Sequence, residues 1–572
     1  MAYEPRMIAP FEGGGLQKYY KPWMIAQEAF PFIEDAYAWR GCIRKRDGFF
    51  LLGTLPTAPV QALLTYIIPA NGDEQLVAFS QTKAYVYSPS TTAFVDISFF
   101  QTTGAPISWT GGDTNFFWGA NYANSLWVTN AIDPLRFYNG SVTQGWNNQK
   151  PTVSGATTLD SCLIVIPYRG RLIVLNTVEG GISNPQRARW SQIGTPYVPA
   201  VGGDPAVVPP TPFATDAQAW RSDIPGRGGF VDADTNERIV TAAIIQDTLI
   251  VAFQRSTWRL RYTGNEVLPF VWERINTQLG AESTFSAISF DDAVLYFSRF
   301  GYVAANSNTV SRIDEKIPDQ SFLAESGSAN PIQFLSKVQG IRDYYRQMAY
   351  WAYPSGATNA TSPDKVLAFN YLDQTWAIFN QSFRCFGNYK TNDDRIWNTF
   401  TVNPEDTWAE LDSPGDDYWQ APFLQDNFPL IVGGKDNGDV MLCYSLTNSA
   451  TDNGTQFGFK IQTKQFNPYI KDGHRCRLAY VDIYTTSSAH GQITVEHFID
   501  DRDDTPDIVR TVDISTTENG KYTRVFIGSN ARFHTLVITM TPEQVADPLI
   551  GVAGFEMQGI VLWTRREGRL QQ

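Results

Sequence analysis

The stretch "AYVYSPSTTAFVDIS", residues 84–98, alternates aromatic or aliphatic side chains with small polar ones on both sides of a Ser-Pro-Ser break. Alternation with a period of two predicts a β-strand, and Ser-Pro-Ser is typical of a turn. The stretch therefore predicts two strands joined by a tight turn. Whether this unit stands alone or recurs decides the architecture of the chain.

The unit recurs along the chain as an apolar strand, a turn, and a return strand that often carries Trp, Tyr or Phe. The further stretches of this form are "LRFYNGSVTQGWNN" (135–148), "LIVIPYRGRLIVLNT" (163–177), "LIVAFQRSTWRLRYTGNEVLPFVWERIN" (249–276), "AVLYFSRFGYVAANSNTVSRID" (293–314), "KVLAFNYLDQTWAIFN" (365–380) and "LIVGGKDNGDVMLCYS" (430–445). Antiparallel units repeated in this way most economically form a β-propeller, here of about six irregular blades. Several unrelated β-sandwiches are the alternative.

The predicted fold is all-β and has three parts. Residues 1–70 form an N-terminal arm and the strand that leads into the propeller, and residues 71–450 form the propeller itself. Two stretches interrupt the propeller pattern and are predicted as long contact loops: the Pro- and Gly-rich residues 195–229 and the acidic residues 392–428. From about residue 455 to 572, seven closely spaced and mostly alternating segments predict a C-terminal β-sandwich.

Composition excludes several classes of protein. The 572 residues carry a formal net charge of -13, whereas a protein that grips double-stranded DNA tightly is expected to be basic. The longest apolar run, residues 62–70, is too short to span a bilayer, and no signal peptide is visible at the N-terminus. The five cysteines are far apart and contain no CxxC pair, which favours buried free thiols.

The sequence offers no convincing catalytic or metal-binding motif. All four histidines lie in the C-terminal part, which disfavours a Ser-His-Asp site in the propeller. The acidic run at residues 498–507 lacks the Gly and Glu of a calcium loop, and His497 is expected to be a strand residue rather than a ligand. The prediction is a protein that is not an enzyme and needs no cofactor.

The densest basic stretch is "RGCIRKRDG", residues 40–48. Its cations Arg40, Arg44, Lys45 and Arg46 are candidate contacts to a neighbouring subunit's acidic loop or to a connector protein. Contact with phosphates and an ordinary solvated face are the other interpretations.

The front segment "IEDAYAWRGCIRKRDGFFLLG", residues 33–53, resembles the opening of the tail nozzle proteins of short-tailed bacteriophages. In that group, an early stretch of the form N/D-x-Y…G…(K/R)R-x-G-(F/Y) precedes a β-propeller. The residues that carry the resemblance are Asp35, Tyr37, Gly41, Lys45, Arg46, Gly48 and Phe49. The C-terminal "GIVLWTRREGR", residues 559–569, also resembles the end of such proteins.

The resemblance implies a structural protein of the virion tail, assembled in the host cytoplasm. It implies a homo-oligomeric tube, expected to be a hexamer, that binds the connector or adaptor protein and the tail fibre or spike proteins. Genomic double-stranded DNA is retained by this tube and passes through it without being gripped. An acidic wall suits a sliding polyanion, and Asp412, Asp416 and Asp417 are candidates for a channel or gate loop, with a solvated outer loop as the alternative.

A propeller that binds or degrades glycans is the competing function. Trp376, Trp408 and Trp419 are then the candidates for stacking on sugar rings, although core packing is the commoner use of tryptophan.

Overall fold

The structure is a computed structural model. It describes residues 3–70, 72–140, 145–200, 204–317, 335–355, 362–390, 429–444, 451–486, 491–500, 505–514, 522–545 and 555–570. Within these segments the fold is all-β, and the helical elements are short 3-10 turns at residues 335–337, Ile470–Asp472 and Pro542–Gln544. None of the helical elements in the described segments has the length and apolar character needed to cross a membrane.

The N-terminal segment contributes strands to three different parts of the molecule. Its strands are β1 (Glu4–Ile8), β2 (Gly15–Leu16), β3 (Ala29–Phe30), β4 (Phe32–Glu34), β5 (Ala36–Trp39), β6 (Cys42–Lys45) and β7 (Phe49–Thr54). β2 and β3 pair with each other in parallel, and the remaining strands of this segment join sheets formed by distant parts of the chain.

The middle of the chain forms seven successive antiparallel sheets in the described residues, which we call ring sheets 1 to 7. Ring sheets 1 to 3 contain β8 (Ala62–Ile67), β9 (Glu74–Phe79), β10 (Ala84–Ser88) and β11 (Ala93–Asp96); β12 (Trp118–Tyr122), β13 (Ser125–Thr129), β14 (Leu135–Tyr138) and β15 (Trp146–Gln149); and β16 (Thr152–Ser154), β17 (Thr157–Tyr168), β18 (Arg171–Glu179), β19 (Ile182–Trp190) and β20 (Gly229–Asp232).

Ring sheets 4 to 7 continue the same arrangement. They contain β21 (Ile239–Ile245), β22 (Thr248–Phe253), β23 (Thr257–Tyr262) and β24 (Phe270–Asn276); β25 (Ile288–Ser289), β26 (Val294–Ser298), β27 (Gly301–Ala305) and β28 (Val310–Arg312); β29 (Gln339–Asp343), β30 (Met348–Tyr353), β31 (Lys365–Asn370) and β32 (Thr375–Phe379); and β33 (Cys385–Tyr389), β34 (Leu430–Gly434) and β35 (Asp439–Cys443). Strand β7 pairs with β35, so ring sheet 7 combines one strand that precedes the other six sheets in the sequence with three strands that follow them.

Each ring sheet contacts the next one in sequence, and ring sheet 7 contacts ring sheet 1, so the seven sheets form a closed ring. The first strands β8 and β12 contact each other, β12 contacts β17, and β21, β25, β29 and β33 contact one another in that order before β33 returns to β8. Ring sheets 3 and 4 touch through β19 and β21 and through β20 and β24. Each boundary encloses apolar side chains, for example those of ring sheets 3 and 4 around Trp190 and Phe270, which makes the ring a continuous chain of hydrophobic cores.

The C-terminal region adds two sheets that share one core. Its strands are β36 (Thr451–Asp452), β37 (Thr455–Gln456), β38 (Phe459–Gln462), β39 (His474–Thr485), β40 (Gln492–Ile499), β41 (Ile508–Asp513), β42 (Tyr522–Ala531), β43 (His534–Met540) and β44 (Glu556–Arg569). Of these, β36 and β37 extend ring sheet 7 beside β7, and β38 to β44 contribute to the two added sheets. One sheet has the order β42-β39-β44-β6-β5 with β1 beside β44, and the other places β4 between β32 of ring sheet 6 and β38. Leu478 and Val481 from the first sheet share a core with Val495 and Ile538 from the second.

The predicted hairpins are confirmed, but the predicted boundaries between the parts are not those of the molecule. Residues 84–98 form the β10–β11 hairpin, and each of the seven segments predicted after residue 455 contains one of the strands β38 to β44. The described residues form seven ring sheets rather than about six, and β7 of the predicted arm belongs to the ring. Strands β1, β4, β5 and β6 of that arm belong to the C-terminal sheets, so residues 455–572 do not form their sheets alone.

The Pro-rich stretch 195–229 is a packed covering segment in its described part. The side chains of Tyr197 and Trp220 are fully buried against ring sheets 2 and 3. The Tyr197 hydroxyl donates to the Ala123 carbonyl at 2.6 Å, and Trp220 Nε1 donates to the Pro196 carbonyl at 2.7 Å. These two anchors hold the described part of the segment on the ring, and the contact role predicted for the segment stays a prediction.

Candidate functional site

Two of the residues that carry the sequence resemblance, Asp35 and Arg46, meet Asp452 in a buried junction, which we call the motif junction. Arg46 is its centre: Nε donates to Asp35 Oδ1 at 2.5 Å, and Nη1 and Nη2 donate to the two carboxylate oxygens of Asp452 at 2.8 and 2.6 Å. The side chain of Arg46 is only 1% exposed. A guanidinium between two carboxylates is the arrangement that makes a buried arginine tolerable, since the planar group satisfies both at once.

A second arginine links the same segment to ring sheet 6. Arg346 donates from Nε and Nη2 to Asp47 Oδ2 at 2.8 and 2.6 Å, and its backbone N–H donates to Asp343 at 3.0 Å. Burial alone would lower the pKa of Arg346, but Asp47 and Asp343 hold it above its ordinary value. Burial raises the pKa of Asp343, which Arg346 opposes. The motif junction therefore joins the front segment, the ring and residue 452 by charge-assisted hydrogen bonds.

Lys45 lies beside Arg46 in an apolar setting. Its Nζ lies 4.0 Å from the centre of the Phe457 ring, and the Arg46 guanidinium lies 3.7 Å from the same ring. Nζ has no hydrogen-bond partner among the residues that the structure describes, and burial, reinforced by the Arg46 charge, lowers the pKa of Lys45 to about 8. Lys45 is therefore held mainly by packing and a cation–π contact.

Glycine is favoured at the two glycine positions of the motif for two different geometric reasons. Gly41 lies in the turn between β5 and β6 with φ of +79°, a conformation that favours glycine. Gly48 is needed for close approach instead, because a Cβ atom there would lie 2.0 Å from the carbonyl oxygen of Thr451. Phe49 follows in β7, where it is buried edge-on against Phe383 with ring centres 5.4 Å apart.

Two of the four residues predicted to form a basic contact surface do not lie at the surface. Lys45 and Arg46 are buried inside their own chain, so they are not surface contacts to a neighbouring subunit or connector. Their charge is used within the fold because the carboxylates of Asp35 and Asp452 lie against Arg46. Arg40 is exposed and lies over the Trp39 ring, and the half-exposed Arg44 pairs with Glu556 at 2.8 Å.

The predicted channel or gate residues Asp412, Asp416 and Asp417 lie outside the described residues, as does the whole predicted loop 392–428.

A second polar cluster, which we call the axial cluster, consists of Asp113, Lys337 and Arg384 together with Asp436 and Gln61. Its three ion-paired residues precede the first strands of ring sheets 2, 6 and 7. Asp113, just before β12, forms ion pairs with Lys337, just before β29, and with Arg384, just before β33. Arg384 also donates to Asp436 Oδ1 at 2.7 Å and to Gln61 Oε1 at 3.4 Å. The side chains of Lys337 and Arg384 are each 2% exposed, so the two cations are enclosed.

Aromatic side chains cross the ring beside the axial cluster. Phe116 of the segment before β12 lies 5.6 Å from Phe285 of the segment before β25, and Trp118 lies 5.8 Å from the same ring. The Arg384 guanidinium lies 5.5 Å from Phe116. Ring sheets 2, 5, 6 and 7 are thus tied together by contacts between side chains at this end of the ring.

The electrostatics of Asp113 in the axial cluster suit structure better than acid–base chemistry. Burial opposes ionisation of Asp113, but hydrogen bonds from Lys337 and Arg384 lower the pKa of its carboxyl. A glycosidase pair needs one carboxyl whose pKa is raised so that it can act as the acid, and Asp113 is not such a group. Sequence reasoning missed this cluster because its members are far apart in the chain and no local pattern marks them.

His497, His534 and Trp376 have internal positions. His497 and His534 are fully buried in the C-terminal core, and their rings hydrogen-bond to each other at 2.9 Å. Trp376 is 1% exposed and packs against Phe369, so it is not available to stack on a sugar. Trp408 and Trp419 lie outside the described residues.

No protein-family model matches the chain, and no curated protein matches it by sequence. Among solved structures, the chain resembles the crystal structure of the computationally designed Ika8 protein, with 8% identity and a TM-score of 0.33, over 69% of this chain and 100% of that one. It also resembles PorZ, an essential bacterial surface component of the type-IX secretion system of Porphyromonas gingivalis, with 9% identity and a TM-score of 0.31, over 75% of this chain and 44% of PorZ. Likenesses at this level say nothing about what the chain does.

Proposed function

We propose that the chain is a structural subunit of the tail nozzle of a short-tailed bacteriophage and has no enzymatic role. The observation that carries this proposal is the motif junction. The residues of the nozzle-like stretch tie the front segment to ring sheet 6 and to Asp452 through Arg46 and Arg346. A subunit that must transmit and resist force at a head-to-tail joint needs such internal ties, because separately mobile parts would deform under load.

The proposal includes a β-propeller of seven blades built from ring sheets 1 to 7. Strand β7 then closes the propeller by completing the last blade with β33, β34 and β35. The aromatic contacts around Phe285 and the ion pairs around Arg384 stiffen the same body. A rigid block with loops at its edges is suited to tiling side by side in a closed ring of identical subunits.

The DNA path in this proposal lies between subunits rather than along the axis of one propeller. Phe116 and Phe285, and Asp113 with Lys337 and Arg384, meet across the ring of a single chain, which favours a path between chains over one along that axis. Six copies around a common bore provide the conduit, and the net charge of -13 per chain keeps phosphates from being held on its wall. Asp412, Asp416 and Asp417 remain the candidate bore or gate residues.

The partners in this proposal are other copies of the chain, the connector protein above and the fibre or spike proteins at the side. Of the predicted basic residues, Arg40 and Arg44 remain candidates for these contacts because they reach the surface. The location is the virion tail, after assembly in the host cytoplasm.

Mass photometry and electron microscopy test the proposal. Alone or mixed with the connector from the same source, the purified protein is expected to form six-fold rings with six times the mass of the 64.0 kDa chain. Antibody labelling of particles from the source is expected at the tail. A protein that stays monomeric with the connector and is absent from the particles would overturn the proposal.

A further inference from the structure

The C-terminal sheet that contains β42, β39, β44 and β1 has an outer face on which large side chains line up. Intervening residues such as Val481 point into the shared core, so their neighbours along each strand point outward. The register places Phe526, Tyr480 and Trp563 side by side across β42, β39 and β44, and Pro5 of β1 lies next to Trp563. These four residues form the first row of the outer face.

Two further rows continue this surface along the strands. The second row contains Arg524, Asp482, Val561 and Met7, and the third contains Tyr522 and Tyr484. We call the three rows together the aromatic face. Phe526 is 54% exposed and Met7 is 62% exposed, although both are large and apolar. Exposed apolar side chains that adjoin one another across four strands are typical of a surface that another molecule covers.

The charged pair at the centre of the aromatic face is satisfied within the chain. Arg524 Nε and Nη2 donate to the two carboxylate oxygens of Asp482 at 2.7 and 2.9 Å, and Trp563 Nε1 donates to Asp482 Oδ2 at 2.7 Å. The Arg524 guanidinium lies 5.1 Å from the centre of the Tyr522 ring and 5.3 Å from that of Tyr480. A partner can therefore cover the pair without separating it, which limits the desolvation cost.

The composition of the aromatic face is that of a contact between proteins. Its three rows contain Trp, Tyr, Phe, Met and Arg, and they contain neither Lys nor Glu. Those five residue types are enriched at the cores of protein–protein interfaces, where Lys and Glu are depleted. Trp, Tyr and Arg are also the types that most often dominate the binding energy. The face therefore fits the surface of another protein.

The end of this sheet beyond the first row is basic. Arg475, Arg566 and Arg569 are exposed there, and within the described part of the chain no carboxylate pairs with them; two further arginines share Glu567. Strands β1, β39, β42 and β44 together carry seven arginines and four carboxylates, whereas the whole chain has a net charge of -13. The remainder of the chain is therefore strongly acidic, and a second copy offers this sheet a surface of opposite charge.

We propose that the aromatic face packs head to tail against a different, acidic surface of a second copy of this chain. The inference rests on the ring of copies proposed above and names one side of the contact that forms it. Contact between two aromatic faces would set two sheets of net positive charge against each other, which disfavours a two-fold pair. A head-to-tail contact repeats from copy to copy and closes into a ring when the rotation between copies allows it.

Mass photometry of the full chain, alone and with the connector, tests this inference through assembly. Phe526→Asp is expected to raise the concentration needed for half-assembly by about ten-fold or more, because it replaces a buried apolar contact with an unpaired carboxylate. Phe300→Asp is the matched control, since Phe300 is 53% exposed in the turn between β26 and β27, and is expected to leave that concentration unchanged. Raising the salt from about 50 to about 500 mM is expected to weaken assembly of the wild-type chain.

Photo-crosslinking identifies the neighbour directly and leaves the contact intact. With p-benzoylphenylalanine in place of Phe526, illumination is expected to give an adduct of two chains. Its second attachment point is expected outside β1, β39, β42 and β44, and mass spectrometry of the digested adduct locates it. The same group in place of Phe300 is expected to give no adduct.

Four results overturn the inference. These are assembly of Phe526→Asp at the wild-type concentration, an equal loss with Phe300→Asp, an adduct that joins two aromatic faces, and an adduct with the connector in place of a second copy. In each case, six-fold rings of the wild-type chain and labelling of the virion tail still support the nozzle proposal. A wild-type chain that does not self-associate, alone or with the connector, also overturns the inference, and particle labelling then decides the nozzle proposal separately.

Discussion

At the scale of single residues, the buried charge of Arg46 is paired with carboxylates that reach it only in the folded chain. Arg46 is surrounded by Asp35, Asp452 and the Phe457 ring, and the last two lie about 400 residues further along the chain. From sequence alone, the run of cations at 40–46 predicts a solvated or partner-binding surface. The fold instead divides the run, leaving Arg40 and Arg44 at the surface and burying Lys45 and Arg46.

Arg46→Met is expected to lower the free energy of unfolding by about 3–5 kcal/mol, because it leaves two carboxylates without their buried partner. Urea unfolding followed by tryptophan fluorescence measures the change. Arg44→Met is the control: its half-exposed pair with Glu556 should contribute less than about 1 kcal/mol. Equal effects of the two substitutions would show that the motif junction does not stabilise the fold.

The buried pair of His497 and His534 is expected to make the free energy of unfolding depend on pH. His534 Nε2 donates to the Cys476 carbonyl at 2.9 Å, so its Nδ1 accepts the hydrogen bond from His497 Nε2. This leaves His497 Nδ1 unprotonated, buried and without a partner. Burial, aided by His534, lowers the pKa of His497 to about 3, from 6.5 for an ordinary histidine. Burial also lowers the pKa of His534.

Acidification below about pH 6.5 is therefore expected to destabilise the fold progressively. Between about pH 6.5 and pH 3, an unfolded chain takes up a proton at His497 and the folded chain does not, so stability is retained above this window and falls within it. The slope for one such group is at most about 1.4 kcal/mol per pH unit. Urea unfolding from pH 7.5 to 4.5 should show a shallower slope for His497→Gln, whose amide can still donate to His534; an unchanged slope contradicts this account.

At the scale of elements, the local sequence pattern predicts the hairpins correctly. It does not predict that strands of the N-terminal arm pair with strands far away in the sequence. The β10–β11, β26–β27 and β31–β32 hairpins are adjacent in sequence, so alternation and turn residues suffice to predict them. Strand β7 pairs with β35, nearly 400 residues away, and Gly48, just before β7, allows the close approach of Thr451 in β36. No local pattern carries that information.

Gly48→Ala is expected to destabilise the protein by about 2 kcal/mol or more, because its Cβ would overlap a backbone carbonyl that side-chain motion cannot relieve. The midpoint of thermal unfolding measures the effect. Gly568→Ala is the matched control, since a Cβ there has no atom within 4 Å. A midpoint for Gly48→Ala equal to that of the control would show that the approach at Thr451 relaxes freely.

At the scale of the whole molecule, the ring and the C-terminal sheets form one interlocked body. The arm supplies β7 to the ring and β1, β4, β5 and β6 to the C-terminal sheets, so the division at residues 70 and 455 does not separate independent parts. The net charge of -13 belongs to this body as a whole and governs how it meets a polyanion.

Weak interaction with DNA is the expected consequence of that charge. Fluorescence anisotropy with a labelled 30-base-pair duplex should show no saturable binding at micromolar protein, at either 50 or 200 mM salt, because few counterions are released. A basic DNA-binding protein serves as the positive control. Submicromolar binding that falls steeply with salt would contradict a conduit that lets DNA slide.

The sequence by itself determined the all-β class, most of the hairpins and the strands after residue 455, because alternation and turn chemistry act between residues that are neighbours in the chain. Only the tertiary structure decided that seven sheets close into a ring, that the arm is shared between two regions, and that Arg46 is buried while Arg40 is not. The physical reason is that these outcomes depend on contacts between residues hundreds of positions apart. Burial and ion pairing at those contacts follow from the packing of the whole chain and leave no local trace.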